Sequence, residues 1–258
     1  MRDDLRPLLD AARHAAREAS VAILEIYRSP FVVRKKDDAS PVTEADERAE
    51  RLILAALAKA APDIPVIAEE LVAAQGAPQA PPRFWLVDPL DGTKEFIARN
   101  DEFSVNIALV EGDKPVLGVV HVPVTNITYA AAGPGTATRQ QGDAAPLAIA
   151  ARAVPAVKPI VVHSRSHIDS KRLRTYLATL AEPERMISGS AIKFCLVAEG
   201  TADLYPRFGT TMEWDTAAGQ AVLEAAGGSV VSFDGLPLRY AKPGFRNSDF
   251  IARGRAAN

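Results

Sequence analysis

Two aspartates on a tight bend are the residues of this chain best placed to do chemistry. Asp88 and Asp91 lie three apart in Phe84–Phe96, which reads F-W-L-V-D-P-L-D-G-T-K-E-F. The apolar run before them predicts a buried strand, and the proline and glycine beside them predict that it ends in a sharp turn. Carboxylates held this close repel each other unless a cation lies between them. Oxygen-only ligands suit a hard ion, Mg²⁺ before Zn²⁺.

Thr93 follows the bend and is predicted to open a short helix, whose first N–H groups would favour a phosphate. Together these residues indicate metal-dependent phosphoryl transfer. The alternative is an ordinary turn, because aspartate, proline and glycine are all favoured in turns for local reasons. The rest of the chain must decide between the two.

Composition excludes several classes of protein. The 258 residues suffice for one large domain or two smaller ones, and a net charge of −2 gives no general attraction to nucleic acid. The single cysteine, Cys195, lies in an apolar helical run and is predicted to pack in the core. No uncharged run is long enough for a transmembrane helix, and the N-terminal segment lacks the apolar block of a signal peptide. The predicted location is therefore the cytoplasm.

Two amphipathic helices are predicted first. Apolar residues step along one face from Leu5 to Ile26, and a second helix begins after Thr43 and stops near Pro62. Thr43 followed by Asp46 resembles a helix N-terminal cap. Asp46 is therefore explained either as part of a cap or as a catalytic group.

The elements that follow predict a sheet. Val66–Ala68 is a predicted strand that ends at Glu69, and Ala73–Pro82 is a predicted loop. Alternating apolar residues then predict three antiparallel strands, namely Ser104–Val110, Pro115–Val122 and Thr128–Ala132.

A domain boundary is predicted near 150–159. Residues 1–150 would form an α+β domain, and residues 151–258 an α/β domain in which strands and helices alternate. Ser188, Gly189 and Ser190 are predicted to cap a helix there. The elements predicted in this half are strands at Ile160–Val162, Met186–Ile187 and Ala202–Tyr205 and helices at Asp169–Leu180, Ala191–Glu199 and from Trp214–Asp215.

Two motifs carry a family resemblance: D-P-L-D-G-T-K-E-F at Asp88–Phe96 and W-D-T-A-A-G at Trp214–Gly219, with A-E-E upstream at Ala68–Glu70. With them, the chain resembles the inositol monophosphatase-like, lithium-sensitive metal phosphatases from about Lys36 to Gly228. The resemblance implies an α+β / α/β fold, a layered αβαβα sandwich of the inositol monophosphatase/fructose-1,6-bisphosphatase type. Alanine replaces the glycine that many relatives carry before the two acids, and this is expected to be tolerated.

Within that superfamily the chain is most similar to bacterial 3′(2′),5′-bisphosphate nucleotidases of the CysQ type. Arg207 stands near a position where inositol monophosphatases tend to carry an acid, and an arginine suits a second phosphate. The motifs behind this are K-x-D-x-S-P-V-T-x-A-D (Lys36–Asp46), S-R-S-H (Ser164–His167), G-S-A-I-K-F-C-L-V-A-E-G (Gly189–Gly200) and L-Y-P-R-F-G (Leu204–Gly209).

The resemblance also implies metal ligands. Glu69, Asp88 and the carbonyl of Leu90 would hold a first Mg²⁺, and Asp88, Asp91 and Asp215 a second. A third, weaker ion would lean on Glu69. Glu69, Asp91 and Asp215 would also border the substrate.

Catalytic roles follow from the same resemblance. Thr93, paired with Asp46, would orient and deprotonate a water on the first metal, together with Glu69. The second metal would stabilise the leaving ribose oxygen. The backbone from Gly92 to Lys94 would hold charge on the transferred phosphate.

Substrate contacts are predicted in the second half of the chain. Ser190 and Lys193 lie one helical turn apart and with Arg207 could clamp a non-scissile 5′-phosphate. For Lys193 the alternative is a solvated helix face. His167 and Arg165 would reach the base or ribose, or else be structural.

The sequence thus predicts a Mg²⁺-dependent phosphatase that converts adenosine 3′,5′-bisphosphate to AMP and also acts on its sulfated precursor, in sulfate assimilation. The alternatives are an inositol monophosphatase and a non-catalytic nucleotide sensor, while a nucleic-acid-binding module is disfavoured. The chain is expected to act as a monomer or homodimer, without an integral membrane segment. Peripheral attachment at the inner face of the cell membrane stays open.

Overall fold

The computed structural model describes residues 5–35, 41–165 and 170–256. Two long helices open the fold, α1 (Leu5–Tyr27) and α2 (Glu44–Ala60). Both bury one apolar stripe, as their helical periodicity predicts, and α2 also buries the carboxylates of Asp46 and Glu50.

The start of α2 confirms the predicted cap. The side chain of Thr43 accepts the backbone N–H of Ala45, and the Asp46 carboxylate accepts the backbone N–H of Thr43. This reciprocal pair satisfies donors that the first helical turn leaves free. Just before it, two short antiparallel strands lead into the helix, β1 (Val33–Lys35) and β2 (Pro41–Thr43).

A sheet of seven strands follows: β3 (Val66–Ala68), β4 (Arg83–Asp91), β5 (Ser104–Glu111), β6 (Lys114–Val122), β7 (Ile127–Ala132), β8 (Thr138–Gln141) and β9 (Leu147–Ala148). They lie in sequence order across the sheet. β3 pairs with β4 in parallel, and the other neighbours are antiparallel. The register places Asp88 opposite Asn106 and Asp91 opposite Ser104.

The second half of the chain builds another sheet. Its strands are β10 (Ile160–His163), β11 (Glu184–Ile187), β12 (Leu204–Arg207), β13 (Thr211–Met212), β14 (Ser229–Ser232), β15 (Arg246–Asn247) and β16 (Phe250–Arg253). Five of them form a sheet in the order β11-β10-β12-β16-β14, while β13 and β15 form a separate pair. β10 is parallel to both its neighbours, whereas β16 is antiparallel to both of its own.

The shorter α-helices within the described ranges are α3 (Glu69–Gln75), α4 (Thr93–Ile97), α5 (Lys171–Leu177), α6 (Ile192–Ala198) and α7 (Ala217–Ala225). A 3₁₀ turn, Glu213–Asp215, leads directly towards α7. α6 and α7 lie between the two sheets, α1 and α2 cover the outer face of the first sheet, and α5 covers the second. The predicted αβαβα sandwich is therefore confirmed.

Small residues let the middle layer pack closely. A Cβ on Gly219 of α7 would lie 2.6 Å from the ring of Phe194 on α6, and one on Gly118 would lie 2.3 Å from the carbonyl oxygen of Ala218. Any side chain at either glycine would therefore push α7 away from its neighbours.

Two local predictions were wrong. The predicted loop from Ala73 to Pro82 begins only at Gly76, because α3 continues to Gln75. The predicted cap of α6 is absent: Ala191 occupies the N-cap position without a side-chain hydrogen bond. The boundary near residue 150 stays a prediction.

Candidate active site

β4 continues past the predicted end of the strand at Val87 to Asp91, with a shift in register between Asp88 and Asp91, and the turn comes at Gly92. Asp88 is 2% exposed, and its Oδ1 accepts the backbone N–H of Leu90 at 3.0 Å. Gly92 has a φ of 95°, in the left-handed region that glycine adopts without strain. Thr93 is the first residue of α4, as predicted.

Three carboxylates converge beside this bend. Glu69, Asp88 and Asp215 each offer one oxygen, and these oxygens lie within 4.8 Å of one another. The parallel pairing of β3 with β4 sets Ala68 against Val87, so the next residues of both strands, Glu69 and Asp88, become neighbours. Asp215 reaches the same place from the turn before α7.

The electrostatics of the group fit a bound cation. Burial raises the pKa of Asp215 well above its ordinary value, and the nearby charges of Asp91 and Glu69 raise it further. A hard cation would remove both costs, since it replaces the lost water and neutralises the mutual repulsion. The donor set is all oxygen, which fits Mg²⁺.

Asp91 differs from the other predicted ligands. Its Oδ2 accepts hydrogen bonds from the Ser190 hydroxyl at 2.9 Å, the Ala191 backbone N–H at 2.5 Å and the Asn106 amide at 3.3 Å. In the described part of the chain, the compact carboxylate group does not include Asp91. Asp91 nevertheless lines the same cleft as Asp215.

Thr93 and Asp46 form the predicted pair. The Thr93 hydroxyl lies 3.1 Å from Asp46 Oδ1 and 3.3 Å from the Leu90 carbonyl oxygen. Asp46 Oδ2 accepts the Thr43 backbone N–H at 2.8 Å and the Thr43 hydroxyl at 2.7 Å. The two oxygens of Asp46 therefore have different partners: Oδ2 caps α2, and Oδ1 faces Thr93.

A polar network holds the turn that carries Asp215. The backbone N–H of Met212 donates to Asp215 Oδ2 at 2.9 Å. The Asn247 amide nitrogen lies 2.8 Å from the Met212 carbonyl oxygen and 3.0 Å from the Thr216 hydroxyl. Glu213, fully buried between these residues, accepts from the ammonium of Lys242 at 2.7 Å.

A cleft opens beside the carboxylates and contains two cations. Lys193 is only 3% exposed, so a solvated helix face is excluded for it. Its ammonium donates to the Ser190 carbonyl at 2.5 Å and lies 5.1 Å from the centre of the Tyr205 ring. Burial lowers the pKa of Lys193 to about 8, while the charge of Asp91 opposes that shift.

Arg207 is the second cation of the cleft. Its guanidinium lies 3.3 Å from the Ser164 hydroxyl and 3.3 Å from the Thr210 carbonyl. Its buried Nε has no hydrogen-bond partner among the described residues. The cleft is lined by Asp91, Gly92, Lys94, Glu95, Ser164, Ser190, Ala191, Lys193, Phe194, Tyr205, Arg207, Thr211, Asp215 and Thr216.

Three further residues were predicted to contact the substrate. His167 lies outside the described residues. Arg165 pairs with Glu102 at 3.2 Å and leaves 55% of its side chain exposed. Lys94 is exposed at the cleft wall. Sequence reasoning thus placed Lys94, Ser190, Lys193 and Arg207 in one cleft, and their contacts with a substrate stay predictions.

Sequence reasoning missed four residues that support the site. Ser104 and Asn106 are buried polar residues inside the apolar strand β5, a signal that was available in the sequence. Glu50 lies one helical turn after Asp46 and accepts the backbone N–H of Glu70 at 2.9 Å. Glu95 is half-buried at the cleft, where burial raises its pKa.

None of the helices within the described ranges is long and apolar enough to cross a membrane. The finding agrees with the absence of such a segment from the sequence.

Comparison with known proteins gives consistent matches along the chain. The 3′(2′),5′-bisphosphate nucleotidase CysQ of Shigella flexneri is 49% identical over 249 residues, which cover 93% of this chain and 99% of that protein. The CysQ of Buchnera aphidicola is 40% identical over 253 residues, 96% of this chain and 94% of that protein.

Solved structures show the same similarity. The crystal structure of CysQ from Bacteroides thetaiotaomicron matches with a TM-score of 0.82 and 39% identity, covering 96% of this chain and 97% of that one. An inositol monophosphatase from Anabaena matches with a TM-score of 0.76 and 27% identity, covering 98% and 92%. Residues 4–256 match the inositol monophosphatase family. The chain therefore belongs to the inositol monophosphatase family.

Proposed function

We propose that this protein is a Mg²⁺-dependent 3′(2′),5′-bisphosphate nucleotidase. It removes the 3′-phosphate of adenosine 3′,5′-bisphosphate to give AMP and phosphate, and it also acts on the sulfated precursor of that nucleotide. The implied setting is sulfate assimilation. The observation that carries the proposal is one cleft with a carboxylate cluster on one side and the cations Lys193 and Arg207 on the other. The curated relatives named as such nucleotidases support it.

The proposed metal ligands are the three clustered carboxylates together with Asp91 and the Leu90 carbonyl. Glu69, Asp88 and the Leu90 carbonyl would hold one Mg²⁺, and Asp88, Asp91 and Asp215 would hold a second. A third, weaker ion would bind at Glu69. When bound, such ions lower the pKa of a coordinated water and neutralise charge that develops on the transferred phosphate.

Thr93 and Asp46 move the proton of the attacking water. The Thr93 hydroxyl donates to Asp46 Oδ1, which leaves the lone pairs of its oxygen free to receive a proton. As the water attacks, Thr93 Oγ1 takes that proton and passes its own to Asp46 Oδ1. The cap contacts on Oδ2 keep the carboxylate oriented for this exchange.

Lys193 and Arg207 bind the phosphate that is not cleaved. Both are buried or half-buried cations within one cleft, where a charged hydrogen bond is stronger than in water. A 5′-phosphate would supply an anion between these two side chains. An inositol monophosphate carries hydroxyl groups in its place and would leave the buried Lys193 with only nearby carboxylates such as Asp91 as counter-charge.

Parallel phosphate-release assays test the proposal. Adenosine 3′,5′-bisphosphate and inositol 1-phosphate are offered separately, each with Mg²⁺ and with a chelator. We expect strong, Mg²⁺-dependent release from the nucleotide and little from inositol 1-phosphate. Preference for inositol 1-phosphate would refute the nucleotide specificity and leave the metal site standing. Nucleotide binding without turnover would indicate a sensor instead.

Cytoplasmic location and the monomeric or homodimeric state stay predictions from the sequence.

A further inference from the structure

Among the described residues, three hydrogen-bond donors hold the Asp91 carboxylate through one of its two oxygens. Three donors converge on its Oδ2: the Ser190 hydroxyl, the Ala191 backbone N–H and the Asn106 amide. A carboxylate oxygen offers about two lone-pair sites, so three donors occupy Oδ2 fully. Oδ1 is then the oxygen that remains to bind a cation.

The donors come from two parts of the chain that are distant in sequence. Asn106 lies on β5, beside the strand that carries Asp91. Ser190 and Ala191 stand immediately before α6, about a hundred residues further along. The orientation of Asp91 therefore depends on how the second half of the chain docks against the first.

The backbone at Ser190 is strained. Its φ is 55°, in the left-handed region that non-glycine residues rarely adopt. Such a conformation is energetically unfavourable and persists where the surroundings impose it. Here it places the Ser190 hydroxyl within hydrogen-bonding distance of Asp91 and 2.5 Å from the Ser104 hydroxyl, which also donates to the side-chain oxygen Oδ1 of Asn106 at 2.9 Å.

We propose that Ser190 is a positioning residue for the metal site. Its hydroxyl, fixed by Ser104, holds Asp91 Oδ2 so that Oδ1 is presented to the cation that Asp91 shares with Asp215. Because the Ser190 proton is committed to Asp91, the hydroxyl is a poor donor to a substrate phosphate. This inference rests on the proposed metal ligation and gives Ser190 a different role from the substrate contact that its sequence suggests.

Direct Mg²⁺ binding to the full chain tests this role. Isothermal titration calorimetry is done in the absence of substrate on the wild type, Ser190→Gly, Ser190→Ala and Ser188→Ala. Glycine adopts a positive φ without strain, so Ser190→Gly removes the hydroxyl and relieves the backbone. Ser188 is a matched control, because it is a buried serine of the same loop whose hydroxyl lies by the Gly189 carbonyl.

We expect both Ser190 variants to bind Mg²⁺ about 10-fold more weakly in at least one binding step, as is typical when a residue that orients a metal ligand is lost. Ser188→Ala should bind as the wild type does. Melting curves in chelator should show the Ser190→Gly variant folded.

Mg²⁺ affinities within twofold of the wild type in both Ser190 variants would overturn the inference. So would a raised KM for the nucleotide with unchanged Mg²⁺ binding, which would make Ser190 a substrate contact. A wild type that binds no Mg²⁺ would overturn it too. A wild type that binds Mg²⁺ but leaves the nucleotide intact would refute the proposed function alone, since the role of Ser190 is decided by the titrations.

Discussion

Lys193 is an unusual residue of this molecule, because it is almost fully buried although it lines an open cleft. An ammonium group loses much of its hydration there, and the nearby charge of Asp91 and the ring of Tyr205 offset that loss only in part. Such a group binds an anion well because little further desolvation is needed. The structural position of Lys193 thus suits a phosphate-binding role.

This position makes substrate binding sensitive to pH. The pKa of Lys193 is lowered to about 8, so the side chain is charged below that pH and becomes neutral as the pH rises through it. We expect the KM for adenosine 3′,5′-bisphosphate to rise above pH 8. In Lys193→Met, KM should be higher by about 10- to 100-fold, the usual value of a charged hydrogen bond, and its rise above pH 8 should be reduced.

Steady-state KM values between pH 6.5 and 9.5 check this expectation. Lys158→Met serves as the control, because Lys158 is an exposed lysine that does not line the cleft. An unchanged pH profile in Lys193→Met would show that another group causes the alkaline loss.

The Thr93 hydroxyl has a role that a variant of similar shape can isolate. Thr93→Val keeps the β-branched shape and removes the group that donates to Asp46. We expect kcat to fall by about 10²-fold, typical of lost proton transfer, with Mg²⁺ binding nearly unchanged. Thr201→Val, at an exposed threonine, is the control. A loss of Mg²⁺ affinity equal to the loss in kcat would assign Thr93 to the metal site instead.

At the scale of elements, the sequence predicted what depends on neighbours along the chain. The strand through Val87, the cap formed by Thr43 and the apolar stripes of α1 and α2 are set by local residues, and they are confirmed. The missed start of α3 has a physical reason. Its N-cap is an alanine, which provides no capping side chain, and the backbone N–H of Glu70 is satisfied by Glu50 from α2.

Contacts between elements that are distant along the chain could not be predicted from neighbouring residues. Ser188–Ser190 has the composition of a cap, but the Ser190 hydroxyl finds Asp91 at a separation of 99 residues. A pattern of residue types does not show which of two acceptors lies nearer in space. The family resemblance, in contrast, named Glu69, Asp88 and Asp215 together, and these three carboxylates do converge, while their role as metal ligands stays a prediction.

The turn before α7 depends on one amide. The Asn247 nitrogen lies within hydrogen-bonding distance of Thr211, Met212 and Thr216. Asn247→Ala would leave buried acceptors unsatisfied, so we expect the free energy of unfolding to fall by about 2 kcal/mol and Mg²⁺ binding to weaken. Urea denaturation and calorimetry measure the two effects. Ser248→Ala, at the exposed next residue, should change neither. A fully stable Asn247→Ala variant would show that the turn does not need the Asn247 amide.

At the scale of the whole molecule, the site exists only because both sheets share one middle layer. Glu69 and Asp88 come from the first sheet, whereas Asp215 is brought in by the turn before α7. α7 packs between the sheets within one continuous apolar cluster that joins Phe84 and Val120 of the first to Phe250 of the second. Loss of that packing would separate the carboxylates, and so the metal should stabilise the whole fold.

Another buried group sets the stability of the whole fold in acid. His121 is 1% exposed on β6, where its Nδ1 lies 2.9 Å from the Thr128 hydroxyl. Burial, and to a lesser degree the charge of Arg17, lowers the pKa of His121 to about 4 from 6.5. Above pH 6.5 the imidazole is neutral in both the folded and unfolded chain and contributes nothing to pH dependence. Below pH 6.5, His121 binds a proton in the unfolded chain, whereas in the folded chain it stays neutral until the pH nears 4.

We therefore expect the free energy of unfolding to fall between pH 6.5 and 4, by up to about 3 kcal/mol from this residue. Urea midpoints at half-unit steps of pH measure the slope. His121→Gln should be less steep than the wild type over that range, whatever its stability at pH 7, because it no longer titrates. His14→Gln, at an exposed histidine of α1, should keep the wild-type slope. Equal slopes in the wild type and His121→Gln would place the acid sensitivity on the carboxylates alone.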